Sequence, residues 1–168
     1  MNYLFFLVRN KVTNFVANFA LEFLRISVRL KPMSASLYIV VEGEDPGFDT
    51  FVNGQALARN EDALERLAHK LSVAPLLEFF SADRNSMALL LDQGAGSPGW
   101  TGHLPHPQWF NPDEGLRTIR ALIDFLALSP AALGSDTPAI QRELHEYETV
   151  LRKTMQRNLR WHLAVSWR

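Results

Sequence analysis

Apolar side chains recur along this chain at two different intervals, and the change of interval marks where helices give way to strands. From Phe5 onward, Phe5, Val8, Val12, Phe15, Phe19, Phe23, Ile26 and Leu30 advance by three or four residues, which lines them along one face of a strongly amphipathic helix. Lys31-Pro32 ends that helix, because a residue preceding proline is driven out of the α region. The β-branched and aromatic run Leu37-Tyr38-Ile39-Val40-Val41, bounded by Ser36 and Gly43, predicts a buried strand over residues 37–42. Glu44-Asp45-Pro46-Gly47 is turn chemistry, and Phe51-Val52-Asn53-Gly54 reads as a short extended piece entering a tight turn.

Helical spacing then returns. Asn60 is placed to cap a helix whose first turn holds Glu61 and Asp62, where the helix dipole favours anions, and whose inner face is Leu64, Leu67, Ala68 and Leu71. Residues 75–80 make a short apolar helical turn, and Ser81 is placed to cap a further helix through Met87, Leu90 and Leu91, ended by Gly94. Residues 94–111 are rich in proline and glycine without either period, which predicts an irregular connection. Asn111-Pro112-Asp113-Glu114 starts a helix to about Leu128 with Leu116, Ile119, Leu122, Ile123 and Leu126 inward. Thr137-Pro138 starts another, with Ile140, Leu144, Tyr147, Leu151 and Met155 inward and Glu148 paired with Arg152 outside. Asn158 suits a left-handed stop. Residues 159–167 then alternate as a last strand, Trp161, Leu163, Val165 and Trp167 on one face and Arg160, His162, Ala164 and Ser166 on the other.

Together these elements predict an α+β domain. Its small sheet pairs strand 37–42 with strand 159–167 under four or five helices, with an additional N-terminal amphipathic helix. No fixed-period repeat is present.

Charge divides the chain where the pattern does. Residues 1–32 hold Arg9, Lys11, Arg25, Arg29 and Lys31 against Glu22 alone, net +4, leaving 12 basic and 17 acidic residues beyond. We therefore treat 1–32 as an extension and 33–168 as one domain. The run Leu4 to Val8 is too short for a signal peptide, and the charged residues and asparagines after it interrupt any membrane span. Three readings of the extension stay open: a helix docked on the domain or on a second subunit, sequence translated upstream of a start at Met33, or a peripheral in-plane membrane contact. An overall net charge of -1 gives no reason to expect nucleic acid. The absence of cysteine removes disulfides and thiolate chemistry and fits a cytoplasmic setting.

Candidate chemistry is sparse. Gly94-Ala95-Gly96-Ser97-Pro98-Gly99 has the letters of a dinucleotide loop but follows a predicted helix rather than a strand, so no cofactor is expected. Glu42, Glu44, Asp45 and Asp49 cluster after the first strand and could serve a cation or an acid–base pair, although their spacing fits no calcium loop. Glu42 is the weak catalytic candidate among them, and His162 on the polar face of the last strand would be its partner if the two strands pair. His103 and His106 lie three residues apart but lack a third ligand in their loop, so no metal is expected. With Trp100 and Trp109 they form a polar and aromatic cluster better suited to contacting another protein.

The segments Trp109-Phe110-Asn111-Pro112-Asp113-Glu114-Gly115-Leu116 and Arg160-Trp161-His162-Leu163-Ala164-Val165 resemble small bacterial proteins of unknown function. That resemblance, from about Met33 to the end, implies a bacterial cytoplasmic setting and transfers no activity or site residue. The expected function is a non-enzymatic interaction or accessory module, immunity-like, acting through Trp100, His103, His106 and Trp109 on a protein partner or a second copy. The alternative is a small hydrolase or transferase with Glu42 and His162 in one pocket.

Overall fold

The computed structural model describes residues 35–81 and 106–167. The expected helices over 1–32 and 82–91, the 94–99 glycine motif, Trp100 and His103 lie outside the described residues. Strand β1, Ala35–Val41, pairs antiparallel along its whole length with β2, Trp161–Trp167, in a register that sets Val40 against His162 and Val41 against Trp161. The two strands expected to meet do so. Between them come α1, Gln55–Arg59, α2, Glu61–Lys70, a 3-10 turn at Leu76–Phe79, α3, Pro112–Leu128, and α4, Thr137–Gln156. The architecture is α+β, a two-stranded sheet with four α-helices among the described residues.

A two-stranded ribbon is marginal alone, so the helices must cover its apolar face. Leu37, Ile39 and Val41 of β1 with Trp161, Leu163 and Val165 of β2 form that face, and they share one core with Leu57 of α1, Leu64 of α2, Leu116, Ile119, Leu122 and Leu126 of α3, and Ile140, Leu144, Tyr147 and Leu151 of α4. Helices α3 and α4 pack side by side, and α1 lies against both β1 and α4. Glu148 of α4 bonds Arg120 of α3 at 2.9 Å, across the helix pair, in place of the expected partner Arg152 on its own helix. Met155 is exposed, contrary to its place in the apolar stripe, and Thr154 is buried instead. Burial is tolerated there because the Thr154 hydroxyl donates to the Val150 carbonyl at 2.9 Å.

Trp161 is the pivot of the far end. Its ring is fully buried, tilted against Phe79 with centroids 5.2 Å apart, and its indole N–H donates to the Asn111 carbonyl at 3.2 Å. Phe79 in turn meets Phe110 edge to face at 5.5 Å. Helix α3 reaches this ring only because residue 115 is glycine: a Cβ there would lie 2.2 Å from Trp161 Cζ2 and 2.9 Å from Leu151 Cδ1. Alanine would gain about 1 kcal/mol of helix propensity at this position, but overpacking a filled core costs about 1–3 kcal/mol. Gly115→Ala is therefore expected to destabilise on balance, read as a lower urea midpoint; a raised midpoint would show that the ring has room to move.

Two expectations about polar residues change. Asn60 precedes α2 but makes no capping bond; its amide donates instead to the Ala56 carbonyl at 3.0 Å and to Asp136 at 2.9 Å, tying α1 to the turn before α4. On the outer face of the sheet, His162 and Ala164 are buried rather than solvated, whereas Ser36, Tyr38, Val40 and Glu42 of β1 are half-buried. Among the described residues no helix is long and apolar enough to cross a membrane.

Candidate functional site

The pairing of β1 with β2 decides which backbone groups of β1 remain available. The Glu42 N–H donates to the Arg160 carbonyl at 2.9 Å. Counting back from that pair along an antiparallel ladder, Val40, Tyr38 and Ser36 turn their N–H and C=O toward β2, and Val41, Ile39 and Leu37 turn theirs away. Beyond β2 the outward groups are met: Trp161 exchanges two bonds with Phe110, at 2.8 and 3.1 Å, and Leu163 accepts from the Ser81 N–H at 2.9 Å.

On the β1 side, the described residues close the edge at one end only. The Leu37 N–H donates to the Gly54 carbonyl at 3.2 Å, and the Leu37 carbonyl accepts from the buried Tyr147 hydroxyl at 2.7 Å. Burial pushes the Tyr147 phenol well above its ordinary range, which keeps it a hydrogen-bond donor. Further along, the backbone groups of Ile39 and Val41 have no hydrogen-bond partner among the described residues, although the two residues are only 3% and 7% exposed.

Ile39 opens into a cleft of about 390 Å³ between β1 and the returning segment 49–53, lined also by Ser36, Tyr38, Gln55 and Ser166. Asp49 is the one charged side chain among the described residues of this lining, and its carboxylate accepts the Phe51 N–H at 2.9 Å. Phe51 stands 75% exposed at the rim.

Carboxylates of α4 build the closed end. Glu143 is buried and accepts the N–H groups of Ala56 and Leu57 at 3.1 and 2.9 Å, which satisfies the orphan donors of α1. Glu146 accepts the Asn53 N–H at 3.3 Å. Removal from water raises the Glu143 pKa, the neighbouring Glu146 adds to the rise, and the two N–H bonds and Arg59 oppose it. The sequence carried a signal for Glu143: its spacing from Ile140 and Tyr147 sets it inside the buried stripe of α4, where an acid needs a partner.

The residues singled out from sequence take other places. Glu42 is half-buried and held by the Arg160 guanidinium, one bond at 2.8 Å and a second closer contact, and those bonds lower its pKa. His162 lies two residues along the same face but is buried, with Nδ1 3.1 Å from the Leu163 carbonyl and the Trp109 ring tilted over it with centroids 4.8 Å apart. Neither lines the cleft. Asp45 and Asp49 each accept a backbone N–H two residues on, at 2.7 and 2.9 Å, so they shape the turn. Among the described residues the carboxylates whose ligand atoms gather within 4.8 Å are Glu61, Asp62 and Glu65, in the N-terminal half of α2 and away from the acidic turn.

Of the polar and aromatic cluster, His106 is exposed and Trp109 half-buried. The stretch is anchored where Gln108 donates to the Ser81 hydroxyl at 2.7 Å and Phe110 meets β2. Sequence missed the cleft, because backbone groups left unpaired by a strand ladder have no signature in residue type. Compared with known proteins, the chain matches no family model, no curated protein and no solved structure.

Proposed function

We propose that this protein is a non-enzymatic interaction module that receives a protein partner along the outer edge of β1. The observation that carries this reading is the pair of nearly buried strand residues, Ile39 and Val41, whose outward backbone groups lack partners among the described residues, one of them facing the cleft. Unpaired donors and acceptors on a strand edge are a template for another chain, and proteins that do not use such an edge cover it. Two further features support it. The exposed Phe51 ring at the rim is the kind of side chain that anchors an interface. Glu42 and His162, the groups best suited to acid–base work, are engaged separately, one by Arg160 and one under Trp109.

The reading is tested with a photo-crosslinking amino acid in place of Phe51, in cells of the native host, against the same probe in place of Leu128, which is 86% exposed at the end of α3. A discrete protein adduct at position 51 and none at 128 is expected. Equal labelling at both positions, or none at 51, rejects the edge as the contact surface.

A further inference from the structure

The cleft also specifies the chemistry of what enters it. Resting on the interaction reading above, we propose that its occupant is an extended, basic peptide segment of another protein, which adds to β1 as a third strand.

Three observations converge. First, Ile39 and Val41 present N–H and C=O on the same side of β1, two residues apart, a repeat of about 6.6–6.8 Å that a second extended backbone matches. Second, Ile39 is 3% exposed, so its polar groups are offered inside the cleft rather than to bulk water, and a buried unpaired N–H or C=O costs free energy comparable to a lost hydrogen bond. Pairing there therefore recovers more than pairing on an open surface would. Third, the charge beside the cleft is acidic on balance. Asp49 is the one charged residue among the described lining, Glu44 and Asp45 lie on the adjoining turn, and the nearby Arg160 is already paired with Glu42. Among the described residues the two cations against that turn are Arg157, which reaches the Gly47 carbonyl, and Lys153, which lies over the Phe48 ring. An incoming lysine or arginine finds carboxylates at the Val41 end of the edge. A second copy of this chain would instead offer its own β1, Ala35–Val41, which carries no lysine or arginine for those carboxylates.

The test is a titration of the isotope-labelled full chain, followed by amide NMR, with the peptide Ac-Thr-Lys-Val-Lys-Thr-Val-NH2 at up to millimolar concentration. Its glutamate counterpart and a version N-methylated at alternate residues serve as comparisons. The basic peptide should shift the Ile39 and Val41 amides and slow hydrogen exchange at Ile39. The acidic peptide should bind roughly tenfold more weakly. N-methylation should abolish the effect on the face that supplies the strand bonds. Shifts confined to other residues, no shift at all, or equal affinity for acidic and basic peptides overturns the proposal. An adduct at position 51 that persists while the peptides fail leaves the interaction reading in place with a partner of different chemistry; loss of both removes the two together.

Discussion

Gly54→Ala is expected to lower the unfolding free energy by about 4 kcal/mol, the sum of two effects at one point. A Cβ at residue 54 would lie 2.1 Å from the Leu37 carbonyl oxygen and 2.3 Å from the Tyr147 hydroxyl. Neither neighbour can give way, because Leu37 is tied into β1 and Tyr147 is fully buried on α4. Overpacking of this kind costs about 1–3 kcal/mol, and prising the hydroxyl from the carbonyl leaves buried polar groups unmet at about 1–3 kcal/mol more. Against a typical domain stability of about 5–15 kcal/mol that is a large fraction. Gly54 has an ordinary backbone conformation, φ -116°, so space alone excludes a side chain there. Gly134 supplies the control: its φ is +65° and a Cβ would meet nothing within 4 Å, so alanine there carries only the backbone strain. If urea unfolding shows Gly54→Ala no worse than Gly134→Ala, the close junction of β1, α1 and α4 is wrong.

Glu143→Ala should rank beside it, at about 2–6 kcal/mol, since it strands two buried N–H groups that each cost about 1–3 kcal/mol when unmet. Helix α1 has five residues and cannot persist without that support. The same carboxyl gives a pH signature opposite in sign to that of most paired acids. Its folded pKa is raised above the unfolded value of 4.5 by burial. Between those two values the folded state holds the extra proton, so the contribution of Glu143 is fully present below pH 4.5 and declines as pH rises through the folded pKa. Measured against Glu143→Gln, which does not titrate, the wild-type advantage should shrink as pH increases over that window. An advantage that grows with pH would mean that the two N–H bonds and Arg59 outweigh desolvation.

Helices α2, α3 and α4 were legible because their evidence is local, whereas the five-residue α1, Gln55–Arg59, was not expected from the sequence. Pro112 at the start of α3, the acids behind it and the inward leucines lie within one stretch of chain, and so do Thr137-Pro138 and the left-handed stop at Asn158, whose φ is 55°. The pairing of β1 with β2 was also within reach, since each is a β-branched or alternating run with its own boundaries. The alternation misled at His162. Period alone assigned it to a solvated face, and the Trp109 ring covers it. Glu42 fared differently: a carboxylate after a buried strand suggested an active acid, but the residue across the ladder is Arg160, and the pair sits at the protein surface.

Hydrophobic period, proline and capping chemistry by themselves determined that this chain makes an α+β domain whose first and last strands meet, because burial of apolar side chains depends on spacing that any stretch of sequence displays. Only the tertiary structure decided that Glu143 serves the N-terminus of α1, that Gly54 and Gly115 must lack side chains, and that the outer edge of β1 beside the cleft is unpaired at Ile39 and Val41 among the described residues. Those outcomes depend on which backbone groups and atoms come within 3 Å of one another after distant segments dock, and residue identity does not encode that distance until the chain has folded.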